Sequence, residues 1–390
     1  MKQVEGRSQP EIEEVNIGFM PLTDCAPLVI ASELGFDRKF GLRMKLNRLS
    51  SWAAVRDKLL TGELHAAQTL YGLIYGVHMG IGGIRRNMAN LMTLSRNGQA
   101  ITLSNRLRDE GVVDGFSLAQ AVHAGERRYF FAQTFPTGTH AMWLYYWLAA
   151  QGVHPLNDVN MLTVPPPQMV TAMRQGDLDG FCAGEPWNAR AIRDQVGFTV
   201  VTSQQIWADH PEKSLGATAE WVDKHPHTVR ALIMAVLDAS RYIEQPDNLT
   251  QVAEILSRKE YVDTDADILL PRMLGQYDDG NGHVWQDAHP MAFFNEGKVN
   301  VPYLSDGMWF LAQQRRWGLL RTVPDYQAVV RQVNQVDVYR AAAEQLGIAV
   351  PAEPFSCIAG ETVPHIVLMD GQVWDAADAE RYAMAFAIHS

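Results

Sequence analysis

The chain has 390 residues, 47% of them hydrophobic and 20% charged, with 30 Gly, 19 Pro, 3 Cys and a formal charge of −11. That composition is globular and excludes disorder, collagen-like repeats and a disulfide scaffold. At about 150 residues per domain it divides into two lobes with room for a small third unit, and its negative balance repels phosphate backbones, so direct nucleic-acid binding is a poor first reading.

Residues 1–14, MKQVEGRSQPEIEE, form a polar leader without the apolar run of a secretory signal, which reads as a chain not built for export. No apolar stretch approaches the ~20 residues a membrane span needs. Cys25, Cys182 and Cys357 are odd in number, widely spaced and without CxxC pairing, so they read as reduced, buried small hydrophobes.

In chain order, VNIGFM (15–20) reads as a buried strand ended by Pro21, Pro27–Phe36 as a helix closing at Gly35, and LRMKLNRL (42–49) as a second strand. Ser50 and Ser51 offer an N-cap to a helix through Leu60 that stops at Gly62, followed by a short strand near 66–70. LMTLS (91–95) and AITLS (100–104) read as strands joined by the turn Arg96-Asn97-Gly98-Gln99. The pattern restarts near 105. A helix over 117–123, the strand YFFAQTF (129–135), a helix opened by Pro136-Thr137-Gly138-Thr139, the strand near 159–165, DGFCAGEPWN (179–188) as a strand running into a loop, and the strand near 199–206 make a second α/β unit. Beyond Leu215 long helical patterns dominate, interrupted by a region rich in Gly, Asp and Asn (275–300). Alternating strands and helices imply open α/β sheets that bind ligands beyond strand C-termini.

No P-loop, GxGxxG, GxSxG or HExxH is present, so no enzyme, cofactor or metal reading has an anchor. His225 with His227, and His283 with His289, lack the partners of a metal site and read as surface or capping residues. Two helix starts stand out, one at Ser51-Trp52 and one at Gly138-Thr139 with His140 in the first turn. Helix N-termini attract anions, yet Ser51 and Thr139 equally suit plain capping, and local sequence leaves the two readings open. Lys213, in HPEKSLGA, is a basic residue in an apolar setting, and on its own reads as a solvated lysine.

Taken together, VNIGFMPLTDCAPLVIASELGF, SSWAAVRDKLLTGELHAAQ, RNGQAITLSN, FPTGTHAMWLYYWLAAQG, VPPPQMV, GEPWN, PEKSLGA and VPYLSDGMWF resemble the nitrate-binding branch of the nitrate/bicarbonate/taurine substrate-binding proteins of ABC transporters, over about residues 15–320. The resemblance implies a type II periplasmic-binding fold, α/β, with a ligand cleft between two lobes. It implies lobe one at 15–105 and again at 214–325, lobe two at 106–213, and a C-terminal extension at 326–390. By motif, the anion contacts fall on Trp52, on Gln99 or Asn97, on His140 and on Lys213, with Gly138, Thr139 and Glu185 as neighbours and Glu185 orienting a cationic side chain. Lys213 at its position favours nitrate or nitrite over bicarbonate. Because the leader lacks an export signal, the expected function is that of the family's cytoplasmic NasS-type nitrate/nitrite sensors. Such a sensor holds a NasT-type RNA-binding antiterminator and releases it when the anion binds. A solute-binding receptor of a nitrate ABC transporter is the second reading.

Overall fold

The computed structural model describes residues 9–352, 354–355 and 366–390; residues 1–8 of the polar leader, Cys357 and His365 lie outside the described residues. Ten strands make two five-stranded sheets: β1 Glu14–Phe19, β2 Arg43–Arg48, β3 Ala66–Leu70, β4 Met88–Arg96, β5 Gln99–Ser104, β6 Phe130–Gln133, β7 Asn160–Thr163, β8 Gly180–Gly184, β9 Gly197–Thr202 and β10 Pro211–Thr218. The first sheet has the order β2-β1-β3-β10-β4 and the second β7-β6-β8-β5-β9. In each, three strands run parallel through helical crossovers while two pair antiparallel. This is the two-lobed α/β architecture that the resemblance implied.

The strands at 91–95 and 100–104 do not form a hairpin. β4 belongs to the first sheet and β5 to the second. Asn97 (φ 60°) and Gly98 (φ 86°) are both left-handed, as a tight Asn-Gly turn requires, but here they redirect the chain from one lobe into the other. The crossing therefore lies at 97–98, eight residues ahead of the boundary near 105, and the chain returns to the first sheet at Pro211 in β10.

Local signals account for the helices that flank the cleft. Ser51 accepts a hydrogen bond from the Ala54 N–H at 3.1 Å, capping the helix Trp52–Thr61, and Gly62 closes it at φ 80°. The helix Thr139–Ala150 is apolar around its whole circumference, and Thr139 to Leu148 are all buried, as expected of a helix in the middle of a core. One hydrophobic cluster runs from Trp52, Tyr71 and Ile74 in lobe one through Trp143, Trp309 and Phe310 to Phe181 and Phe198 in lobe two. The facing sides of the lobes thus share one apolar interior. A second cluster fills the far side of lobe one, where the helix Pro226–Ile243 packs on Ala26–Glu33.

The tail binds both lobes. Tyr146 of the helix Thr139–Ala150 donates to Asp370 at 2.7 Å, and Trp309 of the helix Leu304–Arg316 donates through Nε1 to the Tyr382 hydroxyl at 3.2 Å. Phe386 lies under the Arg316 guanidinium, 3.6 Å from it to the ring centroid. Burying aromatic side chains such as these contributes roughly 1.5–3 kcal/mol each. Among the described residues, no helix is long and apolar enough to cross a membrane.

Candidate functional site

Several chain segments converge between the sheets. After β1 the chain turns through Thr23–Cys25 and presents Asp24; the helix Trp52–Thr61 opens on Trp52; the crossing at 97–98 starts β5 with Gln99; the helix Thr139–Ala150 brings His140 in its first turn; and β10 carries Glu212 and Lys213 back toward lobe one. All six side chains are fully buried. Lys213 Nζ lies 2.9 Å from Asp24 Oδ2, touches Glu212 Oε1, and stands 5.6 Å from the Trp52 ring centroid. His140 Nε2 is 3.7 Å from Glu212 Oε1. Gly184 of β8, which pairs with Gln99, closes one side: a Cβ there would sit 3.2 Å from Asp24 Oδ2 and 3.6 Å from His140 Nε2.

Among the described residues, Trp52 Nε1, both side-chain amide atoms of Gln99, and His140 Nε2 have no hydrogen-bond partner. Buried polar atoms are nearly always paired, and each one left unpaired costs about 1–3 kcal/mol. Three of these atoms, the indole N–H, the Gln99 amide nitrogen and, where Nδ1 accepts from Thr134, the His140 Nε2–H, are donors, and beside one ammonium they are disposed toward something that accepts hydrogen bonds. The Gly138–Thr139 helix start adds to this, since no side chain caps it.

The charge state follows from burial and neighbours. Burial, with Lys213 and His210 nearby, holds His140 far below the usual imidazole range, so the ring is neutral, and its Nδ1 bonds Thr134 Oγ1 at 2.6 Å. Burial opposes the Lys213 charge, but Asp24 and Glu212 outweigh it and hold the ammonium above its ordinary value. Burial raises Asp24 against the pull of Lys213 and Gln68. Glu212 is pushed up to about 8, by burial first, with Lys213 opposing and Asp24 adding. A cation, a flat aromatic face and several N–H groups thus lie together in the buried interior between the sheets, a donor set suited to a compact oxyanion.

The remaining sequence candidates sit around this cluster. Thr139 directs its hydroxyl to the Glu212 carbonyl at 3.5 Å, and a Cβ on Gly138 would strike Leu70 Cδ1 at 2.5 Å, so a glycine lets the two lobes approach there. Asn97 donates Nδ2 to Asp209 Oδ1 (3.1 Å) and the Pro290 carbonyl (3.0 Å), tying down the crossing. Of the two amide candidates, Gln99 is the one whose side-chain amide bonds nothing. Glu185 is turned to Arg272, with Oε1 3.4 Å from the guanidinium Nε, and accepts from the Ala189 N–H at 3.1 Å. Sequence reasoning missed Asp24, Gln68 and Glu212. Gln68 accepts from the Met20 N–H at 2.7 Å and donates to Asp24, so it orients the carboxylate facing Lys213. The signals were available in the TDC turn directly after β1 and in the carboxylate adjacent to Lys213.

Residues 8–257 match the model of the NMT1-like family. The nitrate/nitrite binding protein NrtA of Synechocystis sp. PCC 6803 is 35% identical over 396 residues, covering 99% of this chain and 88% of that protein. The bicarbonate-binding protein CmpA of Synechococcus sp. PCC 6301 is 31% identical, covering 98% and 88%. The crystal structure of the periplasmic nitrate-binding protein NrtA from Synechocystis PCC 6803 superposes with a TM-score of 0.92 at 34% identity, covering 98% of this chain and all of that one. This likeness overturns the expected cytoplasmic NasS-type sensor, and with it the NasT-type antiterminator partner. The sensor expectation weighed only the first fourteen residues of the chain, whereas the likeness to binding proteins, one of them periplasmic, spans nearly all of it. The chain belongs to the NMT1-like family, within the branch of substrate-binding proteins that holds the nitrate-binding NrtA proteins.

Proposed function

We propose that this chain is the solute-binding receptor of an ABC transporter for nitrate or nitrite, holding the anion between its lobes on Trp52, Gln99, His140 and Lys213, with Gly138 and Thr139 at the adjoining helix start. The observation that carries this reading is the convergence of three unpartnered, fully buried polar side chains on one buried ammonium. Planar anions suit the set: the indole ring offers a face, and the surrounding groups offer N–H donors to oxygens in or near the anion plane. Charge-assisted hydrogen bonds contribute roughly 1.5–3 kcal/mol each, so a few reach the about −8 kcal/mol of micromolar binding after ordering costs.

Because every contact residue is buried, an anion reaches them only when the lobes part, and a bound anion favours the closed arrangement through its differential affinity. The protein acts by binding alone, and a membrane permease with its ATPase reads the closed form. A thermal-shift series with nitrate, nitrite, bicarbonate and sulfate tests the reading. Nitrate or nitrite stabilises the wild type and not Lys213→Ala; stabilisation by bicarbonate or sulfate alone sinks it.

A further inference from the structure

Glu212 is a fully buried acid that the proposed contacts leave without a role. Successive residues of a strand point to opposite faces, yet Glu212 and its neighbour Lys213 both reach the cleft. The pairing of β10 with β4 shifts register on both sides of Lys213, and such an irregularity re-aims a side chain. Glu212 Oε1 meets Lys213 Nζ and lies 3.7 Å from His140 Nε2, while Oε2 has no hydrogen-bond partner.

The titratable groups facing Glu212 come from each packed element: Lys213 on its own strand, Asp24 from the turn after β1, His140 from the helix Thr139–Ala150, and Cys182 on β8. His210, further along the same wall, is held neutral at about 3 by burial. Burial keeps the Cys182 thiol protonated. One ammonium therefore faces two fully buried carboxyl groups, and an ionised acid beyond the first has no cation among the groups facing it to balance it. Asp24 accepts the Gln68 amide on Oδ1 and sets Oδ2, which makes no hydrogen bond, 2.9 Å from Lys213 Nζ, so each of its oxygens faces a donor; Glu212 meets Lys213 through Oε1 alone, and among the described residues its Oε2 has no hydrogen-bond partner. The proton belongs on Glu212.

We propose that Glu212 is a specificity-determining residue of the anion site that acts in its protonated form, donating its O–H toward the bound anion so that the anion is held only with this proton in place. The inference rests on the nitrate or nitrite reading of the cleft. With the proton on Glu212, the indole, amide, imidazole, ammonium and carboxyl groups all present donors, which matches an anion that has acceptors only.

Titration calorimetry of nitrate into the wild type, Glu212→Gln and Asp24→Asn, from about pH 7 to about pH 9.5, tests this. Wild-type affinity holds below about pH 8 and falls by up to tenfold per pH unit above it, as loss of one required proton demands. Lys213, held above its ordinary value, stays charged across this window. Near pH 9, titrations in two buffers of different ionisation heat show uptake approaching one proton per anion, and Glu212→Gln shows neither the slope nor the uptake. A flat wild-type profile, a slope that survives in Glu212→Gln, or one abolished by Asp24→Asn instead overturns the proposal. The two-buffer proton count needs no variant, so the absence of uptake overturns it even if Glu212→Gln does not fold. Failure of wild type to bind nitrate or nitrite at any pH overturns the receptor reading itself, and this inference with it.

Discussion

Gly72→Ala separates closure of the lobes from their stability. Gly72 lies in the lobe-one helix Tyr71–Met79, and a Cβ there would overlap the Thr137 carbonyl oxygen and sit 3.1 Å from its carbon and 3.4 Å from the Gly138 carbon. Those atoms are backbone at the start of the His140 helix, so no side chain can swing away. Gln314 Nε2 donates to the Gly72 carbonyl at 2.8 Å and approaches the Thr137 carbonyl at 3.4 Å, which marks the same point as the place where the lobes touch. Restoring ordinary contact needs an opening of about 1–1.5 Å there, and overpacking of this kind costs about 1–3 kcal/mol. Charged to the closed state alone, that cost lowers nitrate affinity by roughly 5- to 150-fold. With the lobes apart, Gly72, the second residue of its helix, has a helical backbone that alanine adopts at least as readily as glycine, so the ligand-free protein does not lose stability. Calorimetric titration measures the first effect and differential scanning calorimetry without ligand the second. Unchanged nitrate affinity, or a ligand-free melting temperature that falls in step with the affinity, refutes the argument that closure alone brings these surfaces together.

Two further outcomes concern charge. Lys213→Ala leaves the Asp24 carboxylate buried without its cation, Glu212 being protonated, and costs about 3–5 kcal/mol near neutral pH. The cost shrinks as pH falls and Asp24, raised by burial, takes up a proton; urea unfolding at about pH 7 and about pH 5 checks this, and equal losses contradict it. Glu11 accepts from the N–H groups of His227 and Thr228 at the start of the helix Pro226–Ile243. Burial opposes its charge, but those bonds outweigh it and lower the group to about 2. Its contribution is present above the unfolded value near 4.5 and is lost as pH falls toward 2, so Glu11→Gln flattens the acid limb of a pH–stability curve, followed by circular dichroism.

How far the sequence carried the account varies by feature. Periodicity and punctuation located the strands near 15–20, 42–49 and 66–70 and the helix after Ser51, because Gly35, Gly62 and Ser51 signal locally what they do locally. The Asn-Gly step was read as a turn joining two strands, and a left-handed pair of residues reverses a chain equally well within one sheet or between two. Only long-range pairing of β4 with β10 and of β5 with β8 decides the matter. The shared apolar interior was not legible either, since the all-round apolar helix Thr139–Ala150 does not reveal which lobe covers which side. At the site, Trp52, Gln99, His140 and Lys213 came from motif resemblance, and their meeting in space is what the fold adds. Glu212 escaped notice because strand alternation points it away from Lys213, and the irregular register of β10 reverses that. The location and partner drawn from residues 1–14 were lost because a short polar stretch constrains far less than the rest of the chain does.

Direct calorimetric titration of nitrate into the purified protein at neutral pH, followed by competition with nitrite, bicarbonate and sulfate, bears most directly on the central claim. The account predicts one nitrate or nitrite per chain with micromolar or tighter affinity, abolished by Lys213→Ala and weakened by Gln99→Ala and His140→Ala. Absence of heat with both nitrate and nitrite, or preferential binding of bicarbonate or sulfate, contradicts it.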